Sequence, residues 1–216
     1  MKIVIKIGTS TLTHSTGRTN IRRVADLCRV ISDLKNAGHE IILVSSGAIA
    51  MGVGKLNLST RPSDAPTKQA AAAVGQCELM YIYDRLFAEH NHTVAQLLIT
   101  APDIDDPVRK ENFHNTLERL LAFRVLPINE NDTVSTEELG IGDNDTLSAT
   151  VAASVNADLL VLLSDIDGLY DQDPHINPHA RLIPVVEKLD EHILSLAGGK
   201  GSALGTGGMV TKLRAA

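Results

Sequence analysis

The stretch EIILVSSG, residues 40–47, decides the fold class. Four apolar residues, Ile41 to Val44, follow one another without the apolar–polar alternation of a strand that has one face in water. Such a run is typical of a strand buried on both faces, as in a parallel sheet that helices cover on either side. The two serines and the glycine after it put small polar groups at the carboxyl end of this strand.

Segments with strand and helix patterns alternate on both sides of this run. Further strands are predicted at KIVIKI (2–7), TVAQLLIT (93–100), VLPIN (125–129), LLVLLSD (159–165) and LIPVV (182–186). Helices are predicted from Asn20 to a Gly38 cap, over 68–90, over about 108–123, after GDND (142–145) and from about Leu189. Strands separated by helices of this length imply right-handed crossovers. The sequence therefore predicts an α/β protein, a three-layer αβα sandwich with a mostly parallel central sheet.

Composition and charge limit the classes of function. With 216 residues and 44% hydrophobic residues the chain can build a substantial core, and a net charge of −6 argues against a nucleic-acid partner. No signal peptide follows Met1, and no 18 apolar residues run together, so we expect a cytoplasmic protein without a membrane partner. Cys28 and Cys77 lack CxxC spacing and lie within helical periodicity, so both are predicted to be reduced and buried.

Polar and small residues follow four of the predicted strands, in KIGTS, SSGAIAMG, INENDTV and SDIDG. Ligands of open parallel sheets bind beyond the carboxyl ends of the strands, so we expect these residues to form one site. With the GDND segment, the groups offered there are a lysine, glycine N–H groups, a hydroxyl, carboxylates and amides. This mixture suits a small zwitterionic substrate beside a phosphate and a cation. The candidates are Lys6, Gly8, Ser46, Gly47, Asn129, Asp132, Asp143, Asn144, Asp145 and Asp165.

The segment GIGDNDTLSAT (140–150) holds three polar residues at the start of a predicted helix, Asp143, Asn144 and Asp145. One of them would suffice to cap the helix. Three in succession therefore indicate a binding role in addition to the cap.

A second glycine cluster, GGKGSALGTGGMVTKLRAA (198–216), leads into a helix that carries Lys212. Glycine-rich loops before helices let backbone N–H groups approach phosphate oxygens, so together with the strand ends we expect phosphate binding here. The segment is not a Walker A motif, and no GxGxxG follows the first strand, which argues against a dinucleotide-dependent oxidoreductase.

Two histidine groups, HNH (90–92) and the pair His175 and His179, have ligand-like spacing. They lack the cysteines or acids of a typical zinc site, so we predict no metal site at either place.

Six blocks of the sequence together resemble the amino-acid kinase family: VIKIGTS, LVSSGAIAMG, KQAAAAVGQ, INENDTVSTEELGIGDNDTLSA, LLVLLSDIDGLY and ALGTGGMVTK. They cover essentially the whole chain. The GDND and TGGMxTK blocks point, within that family, to the glutamate 5-kinase branch. This resemblance, and no pattern of composition or spacing, implies ATP-dependent phosphorylation of the side-chain carboxylate of L-glutamate, the first step of proline biosynthesis.

The resemblance also implies residue roles. Lys6 would contact the transferring phosphoryl group, Lys212 the leaving-phosphate side, and Asp145 would orient both lysines. The positions that would bind the amino acid are Ser46, Gly47, Asn129, Asp132 and Asn144. The positions that would bind the nucleotide are Lys6, Gly8, Ser164, Asp165, Thr206, Gly207, Gly208, Met209, Val210, Thr211 and Lys212. Mg²⁺ is expected mainly on the ATP phosphates, with no protein metal ligand.

The chemistry agrees with these roles. A glutamate carboxylate has a pKa of about 4.3 and is already ionised at neutral pH, so the nucleophile needs no general base. Positioning and neutralisation of phosphoryl charge by two lysines and Mg²⁺ would carry the catalysis. Asp132 is a suitable partner for the substrate ammonium group.

The resemblance extends to organisation and partners. About 1–156 would form the amino-acid-binding half and about 157–216 an incomplete nucleotide-binding half, in a chain that stops short of the family's usual end and carries no PUA domain. Proline is expected as a feedback inhibitor, with contributions from loops near 59–66 and in DIDDPVRKEN (103–112). A homo-oligomer (dimer or tetramer) and functional coupling to glutamyl phosphate reductase are also expected.

Two alternatives stay open on the sequence. The chain could be another amino-acid or carbamate kinase of the same fold, or a non-catalytic amino-acid-binding regulatory module. The presence of Lys6, Asp145 and Lys212 together argues against the second.

Overall fold

The computed structural model describes residues 1–14, 16, 18–124, 127–130, 144–197 and 208–216, with the backbone alone at 101–102 and 127–130. Within these described residues, five parallel strands form one sheet in the order β3-β4-β2-β1-β5. The strands are β1 Lys2–Ile7, β2 Glu40–Ser45, β3 Leu97–Ile99, β4 Pro127–Glu130 and β5 Leu159–Leu163. The helices in the described ranges are α1 Thr9–Leu12, α2 Ile21–Asn36, α3 Ala48–Lys55, α4 Ala65–Ala88, α5 Ala101–Asp105, α6 Pro107–Phe123, α7 Asn144–Ser154, α8 Glu191–Leu196 and α9 Met209–Ala215.

Helices cover both faces of the sheet. Successive side chains of a strand point to opposite faces, so each face has apolar side chains for helices to pack against. Ile3, Ile5 and Ile7 of β1 pack with α2 and α4 in one apolar cluster. Val4 of β1 packs with α6 and α7 in another, on the opposite face. The three-layer αβα sandwich with a parallel sheet is therefore confirmed. The buried run of β2 is confirmed too, since Ile41 to Val44 are at most 2% exposed.

The ends of α2 lie where the sequence places them. The Asn20 side chain accepts a hydrogen bond of 3.2 Å from the Arg23 N–H. After the helix Gly38 adopts φ +93°, and the N–H of His39 donates to the Leu34 carbonyl at 3.1 Å. A left-handed residue with this bond closes a Schellman motif, which glycine favours.

Helices α3 and α4 approach each other closely at two glycines. A Cβ atom on Gly52 would lie 1.7 Å from the Ala71 carbonyl oxygen, and one on Gly75 would lie 1.8 Å from the Ala48 oxygen. Either contact is far inside van der Waals distance, so no larger residue fits without moving a helix. Helix α3 was not among the predicted elements, and this joint holds it against α4.

Three predictions are wrong. LIPVV is not a strand: the described backbone there makes one bridge, Tyr170 to Leu182, and Pro184 has no N–H with which to extend a ladder. The strand predicted over 93–100 is confined to 97–99. Cys77 is exposed, because it lies on the outer face of α4.

Cys28 is buried as predicted, and burial, helped by Glu89, raises the pKa of its thiol to about 12. Both cysteines are free thiols.

No helix in the described part of the chain is long and apolar enough to cross a bilayer.

Candidate active site

A buried ion pair lies at the carboxyl end of β1. The Nζ atom of Lys6 is 2.6 Å from Oδ1 of Asp145, and the two side chains are 8% and 0% exposed. Strand β1 places Lys6 between β2 and β5, level with Val44 and Leu162. Asp145 lies in the first turn of α7, where the helix dipole favours a negative charge.

A second lysine reaches the same carboxylate from α9. The Nζ of Lys212 lies 3.3 Å from Oδ2 of Asp145, with the lysine side chain 17% exposed. The hydroxyl of Thr211 lies 2.9 Å from the same oxygen and 2.7 Å from the Gly208 carbonyl, and it can donate to either acceptor. Asp145 thus bridges two cations from distant parts of the chain.

The carboxyl of Asp145 stays ionised in this setting. Burial by itself would raise its pKa, but the charges of Lys6 and Lys212 and the hydrogen bonds from Lys6 and Thr211 outweigh burial, so the pKa lies below its usual range. One negative charge then fixes the positions of two positive ones, with both ammonium groups held near one point.

Ser46 and Asn144 meet beside this ion cluster. The side-chain amide of Asn144 donates to Oγ of Ser46 at 2.6 Å, and the backbone N–H of Ser46 donates to the Ile7 carbonyl at 3.0 Å. The other end of the amide, Oδ1 of Asn144, is buried and has no hydrogen-bond donor among the described residues. A buried acceptor without a donor is costly, so this atom is suited to a ligand N–H.

Two glycines shape the strand ends. Gly47 has φ +112° at the start of α3, a conformation that L side chains rarely adopt. A Cβ on Gly8 would lie 3.7 Å from Nζ of Lys6 and 3.9 Å from the Leu163 carbonyl oxygen, so Gly8 lies against the lysine and the end of β5.

Ser164 and Asp165 follow β5 directly, next to the end of β1, and the Ser164 hydroxyl lies 3.3 Å from Oδ1 of Asp165. The side chains of Met209 and Val210 pack in a small apolar cluster around Leu169, Ala197 and Leu213. These apolar contacts hold α9 in place. Contacts of Ser164, Asp165, Met209 and Val210 with a nucleotide stay predictions.

Four predicted site residues fall wholly outside the described residues: Asp132, Asp143, Thr206 and Gly207. Only the backbone of Asn129 is described, in β4. Among the described candidates, the structure joins Lys6, Asp145 and Lys212 by ion pairs and joins Ser46 to Asn144.

Sequence reasoning missed one hydroxyl group beside the site, that of Tyr83. Tyr83 of α4 is fully buried, and its OH lies 2.7 Å from Oγ of Ser45, the residue before Ser46. A signal was present, because Tyr83 falls at a core position of the α4 pattern between Leu79 and Leu86, and a buried phenol needs a polar partner. Thr211 was predicted as a nucleotide contact, and its hydroxyl lies against Asp145.

Comparisons with known proteins identify the family of this chain. The sequence model of the amino acid kinase family matches residues 1–216. A glutamate 5-kinase of Clostridium acetobutylicum is 54% identical over the whole chain, which covers 81% of that protein. One from Symbiobacterium thermophilum is 53% identical with 82% covered, and one from Caldanaerobacter subterraneus is 52% identical with 58% covered.

Solved structures share the fold at low identity. A UMP kinase from Ureaplasma parvum matches 84% of the chain, and 74% of its own, with a TM-score of 0.54 and 18% identity. An aspartate kinase from Synechocystis matches 84% of the chain, and 31% of its own, with a TM-score of 0.55 and 15% identity. From its full-length family match and its close relatives, the chain belongs to the amino acid kinase family.

Proposed function

We propose that this protein transfers the γ-phosphoryl group of ATP to the side-chain carboxylate of L-glutamate, giving L-glutamyl 5-phosphate. The observation that carries the proposal is the buried Asp145 carboxylate that holds Lys6 and Lys212. The glutamate 5-kinases that are 52–54% identical over the chain support the choice of substrate.

The two lysines supply what phosphoryl transfer needs. Charge spreads over the equatorial phosphoryl oxygens in the transition state, and groups already fixed in place stabilise it without reorganisation. Lys6 would meet the transferring group and Lys212 the leaving phosphates. Asp145 would act as the positioning residue between them, because both of its oxygens face a lysine.

The amino acid would bind beside Ser46 and Asn144. The substrate ammonium group can donate to the buried Oδ1 of Asn144, which has no donor among the described residues. Asn129 and Asp132 are proposed to add contacts, with Asp132 opposite the ammonium charge. The Gly47 N–H is proposed to bind a substrate carboxylate, which the start of α3 favours.

ATP is proposed to bind through Lys6, Gly8, Ser164, Asp165 and the segment from Thr206 to Lys212. Both oxygens of Asp145 face cationic or hydroxyl donors, and the described residues contain no group of three His, Cys, Asp or Glu side chains placed to hold a metal. Mg²⁺ is proposed to arrive on the ATP phosphates and to offset part of their charge there.

Hydroxylamine trapping of the acyl phosphate tests the function. Purified protein with ATP and Mg²⁺ should form hydroxamate from L-glutamate and much less from N-acetylglutamate or aspartate. Turnover with another acceptor and none with glutamate would identify a different kinase of the fold. Glutamate binding without turnover would identify a regulatory module. Asp132→Ala should chiefly raise the glutamate KM.

The wider setting is part of the same proposal. The reaction would be the first step of proline biosynthesis in the cytoplasm, with proline as feedback inhibitor and glutamyl phosphate reductase as the enzyme that takes the labile product. The protein would act as a dimer or tetramer. About 1–156 would serve the amino acid and about 157–216 the nucleotide.

A further inference from the structure

The Tyr83 side chain lies inside the apolar cluster between α4 and the sheet, away from solvent. It is 0% exposed and packs with Leu79, Leu86 and Phe87, its ring centroid 6.2 Å from that of Phe87. Its hydroxyl lies 2.7 Å from Oγ of Ser45. Phenylalanine would fill the same space without a polar atom. Packing alone therefore does not account for the hydroxyl, and its hydrogen bond to Ser45 does.

The direction of the hydrogen bonds follows from what each atom can donate. Oγ of Ser45 lies 3.1 Å from the Ser46 carbonyl oxygen, which only accepts, so Ser45 donates its single proton there. Tyr83 must then donate to Ser45. Burial raises the pKa of the Tyr83 phenol, more than the Ser45 contact lowers it, so the phenol keeps the proton that it donates.

These bonds hold the peptide between Ser46 and Gly47 in one orientation. The Ser46 N–H is bound to the Ile7 carbonyl of β1, and the Ser46 carbonyl is bound to Ser45. In a trans peptide the carbonyl and the following N–H point in opposite directions, so fixing the Ser46 oxygen also fixes the Gly47 N–H. That N–H precedes the first turn of α3 and has no acceptor within the helix.

We propose that Tyr83 and Ser45 form a hydroxyl relay that positions the Ser46–Gly47 peptide for the amino-acid substrate. The relay runs from the Tyr83 phenol through the Ser45 hydroxyl to the Ser46 carbonyl, and neither Tyr83 nor Ser45 touches the substrate. Both are positioning residues for Ser46 and the Gly47 N–H. This inference rests on the proposed function for its kinetic readout.

Three variants test the relay against a purely structural role. Ser45→Ala frees the Ser46 carbonyl and leaves the buried Tyr83 hydroxyl without its acceptor, so both the glutamate KM and thermal stability should suffer. Tyr83→Phe leaves Ser45 able to donate and should have the smaller effect on KM. The double variant removes the stranded phenol as well. Its melting temperature should recover towards the wild-type value, while its glutamate KM stays raised roughly three- to ten-fold, as expected for one lost hydrogen bond.

Tyr81→Phe is the matched control, because Tyr81 lies two residues away on α4 and is 59% exposed. It should leave the glutamate KM, the ATP KM and the melting temperature unchanged. The relay variants should likewise leave the ATP KM within about two-fold. A glutamate KM that follows the melting temperature back to the wild-type value in the double variant would overturn the inference.

The Gly47 amide resonance in heteronuclear NMR spectra supplies a readout that does not depend on turnover. It should shift or broaden in Ser45→Ala and stay in place in Tyr81→Phe, and an unchanged resonance in Ser45→Ala would also overturn the relay. Failure of the proposed function looks different. The wild-type protein would form no glutamyl hydroxamate, whereas the effect on the Gly47 resonance would persist.

Discussion

At the scale of single residues, the site depends on one carboxylate between two ammonium groups. Asp145 is fully buried, and its cost of leaving water is offset by Lys6, Lys212 and Thr211. Removing one partner of such a cluster leaves a buried charge uncompensated, which costs more than the net contribution of the intact pair. Residue changes here should therefore act on both stability and rate, in proportions that depend on which charge is removed.

Lys6→Met should lower kcat about 100- to 1,000-fold, the range for a lost group that stabilises transition-state charge. The glutamate KM should change much less, because the lysine acts on charge that develops during transfer. Steady-state assays of hydroxamate formation measure both constants. Lys2→Met is the matched control, since Lys2 lies on the same strand and pairs with Glu118 at 2.8 Å. A near-normal kcat for Lys6→Met would remove Lys6 from the mechanism.

Asp145→Asn should lower the free energy of unfolding at pH 7 by about 3 kcal/mol, since it leaves two lysines without their counter-charge. The carboxyl of Asp145 has a pKa below its ordinary value of 3.8 in the folded state. As pH falls below about 4 the unfolded chain binds the proton more readily, so the wild type loses stability that the variant never had. The stability gap should narrow towards pH 3.

Urea denaturation of both proteins between pH 7 and pH 3 measures this gap. Asp26→Asn is the control, because Asp26 pairs only loosely on the surface, 3.9 Å from Arg29 and 4.0 Å from Arg22. Its difference from the wild type should stay near zero throughout. A gap for Asp145→Asn that does not change with pH would contradict the assigned charge state.

At the scale of elements, the joint between α3 and α4 lies next to the proposed amino-acid site, since α3 begins directly after Gly47. Helix α3 begins after Gly47, so its distance from α4 sets where the Ser46–Gly47 peptide lies. The two helices meet through backbone atoms at Gly52 and Gly75. A shift of either helix would move the Ser46–Gly47 peptide, which is proposed to bind the amino acid.

Gly75→Ala should therefore lower the free energy of unfolding by about 1–3 kcal/mol or more, the range for overpacking a close contact. It should also raise the glutamate KM. Thermal melting and kinetics measure the two effects. Ala73→Ser adds one atom to the exposed face of the same helix and should change stability by less than about 0.5 kcal/mol. Unchanged stability and KM in Gly75→Ala would mean that the helices can separate without cost.

The elements with strong local signals were predictable from sequence. These signals involve residues close together in the chain: the unbroken apolar run of β2, the Asn20 cap and the Gly38 end of α2. Helix α3 was missed because it is eight residues long and depends on contact with α4. The LIPVV segment has the composition of a strand. It makes one isolated bridge and no ladder, because Pro184 has no N–H to donate.

At the scale of the whole molecule, α9 is held to the rest by a small apolar cluster of its own. Leu213 is 8% exposed and packs with Leu169 and Ala197, apart from the two clusters that flank the sheet. The lysine next to it, Lys212, depends on this anchor for its place at Asp145. Packing in the small cluster is thereby linked to the position of Lys212, for which a catalytic role is proposed.

Leu213→Ala should lower kcat at least about ten-fold while changing the unfolding midpoint little, because it loosens α9 and leaves the sheet intact. Leu117→Ala, in the cluster between α6 and the sheet, should instead lower the free energy of unfolding by about 2–5 kcal/mol. Kinetics and urea denaturation of both variants measure the contrast. A wild-type kcat for Leu213→Ala would show that α9 holds its position without this cluster.

The convergence of the strand ends was predictable, because parallel strands bring their carboxyl ends to one edge of a sheet. The contacts that hold the site were not. Nothing local in the sequence says that the Thr211 hydroxyl meets Asp145, or that Tyr83 of α4 reaches Ser45 at the end of β2. Such contacts depend on how the helices lie on the sheet, which composition and spacing do not give.

The central position of β1 has a consequence for how the protein is made. Lys6 leaves the ribosome before β5, β5 must follow before β1 gains its second neighbour, and Lys212 comes later still. At ~5–20 residues per second, roughly 8 to 30 s separate the synthesis of Lys6 from that of β5. During that interval the nascent chain carries the β1 edge without its final partner. A chaperone that shields this edge would protect the chain at the stage when it is most prone to aggregate.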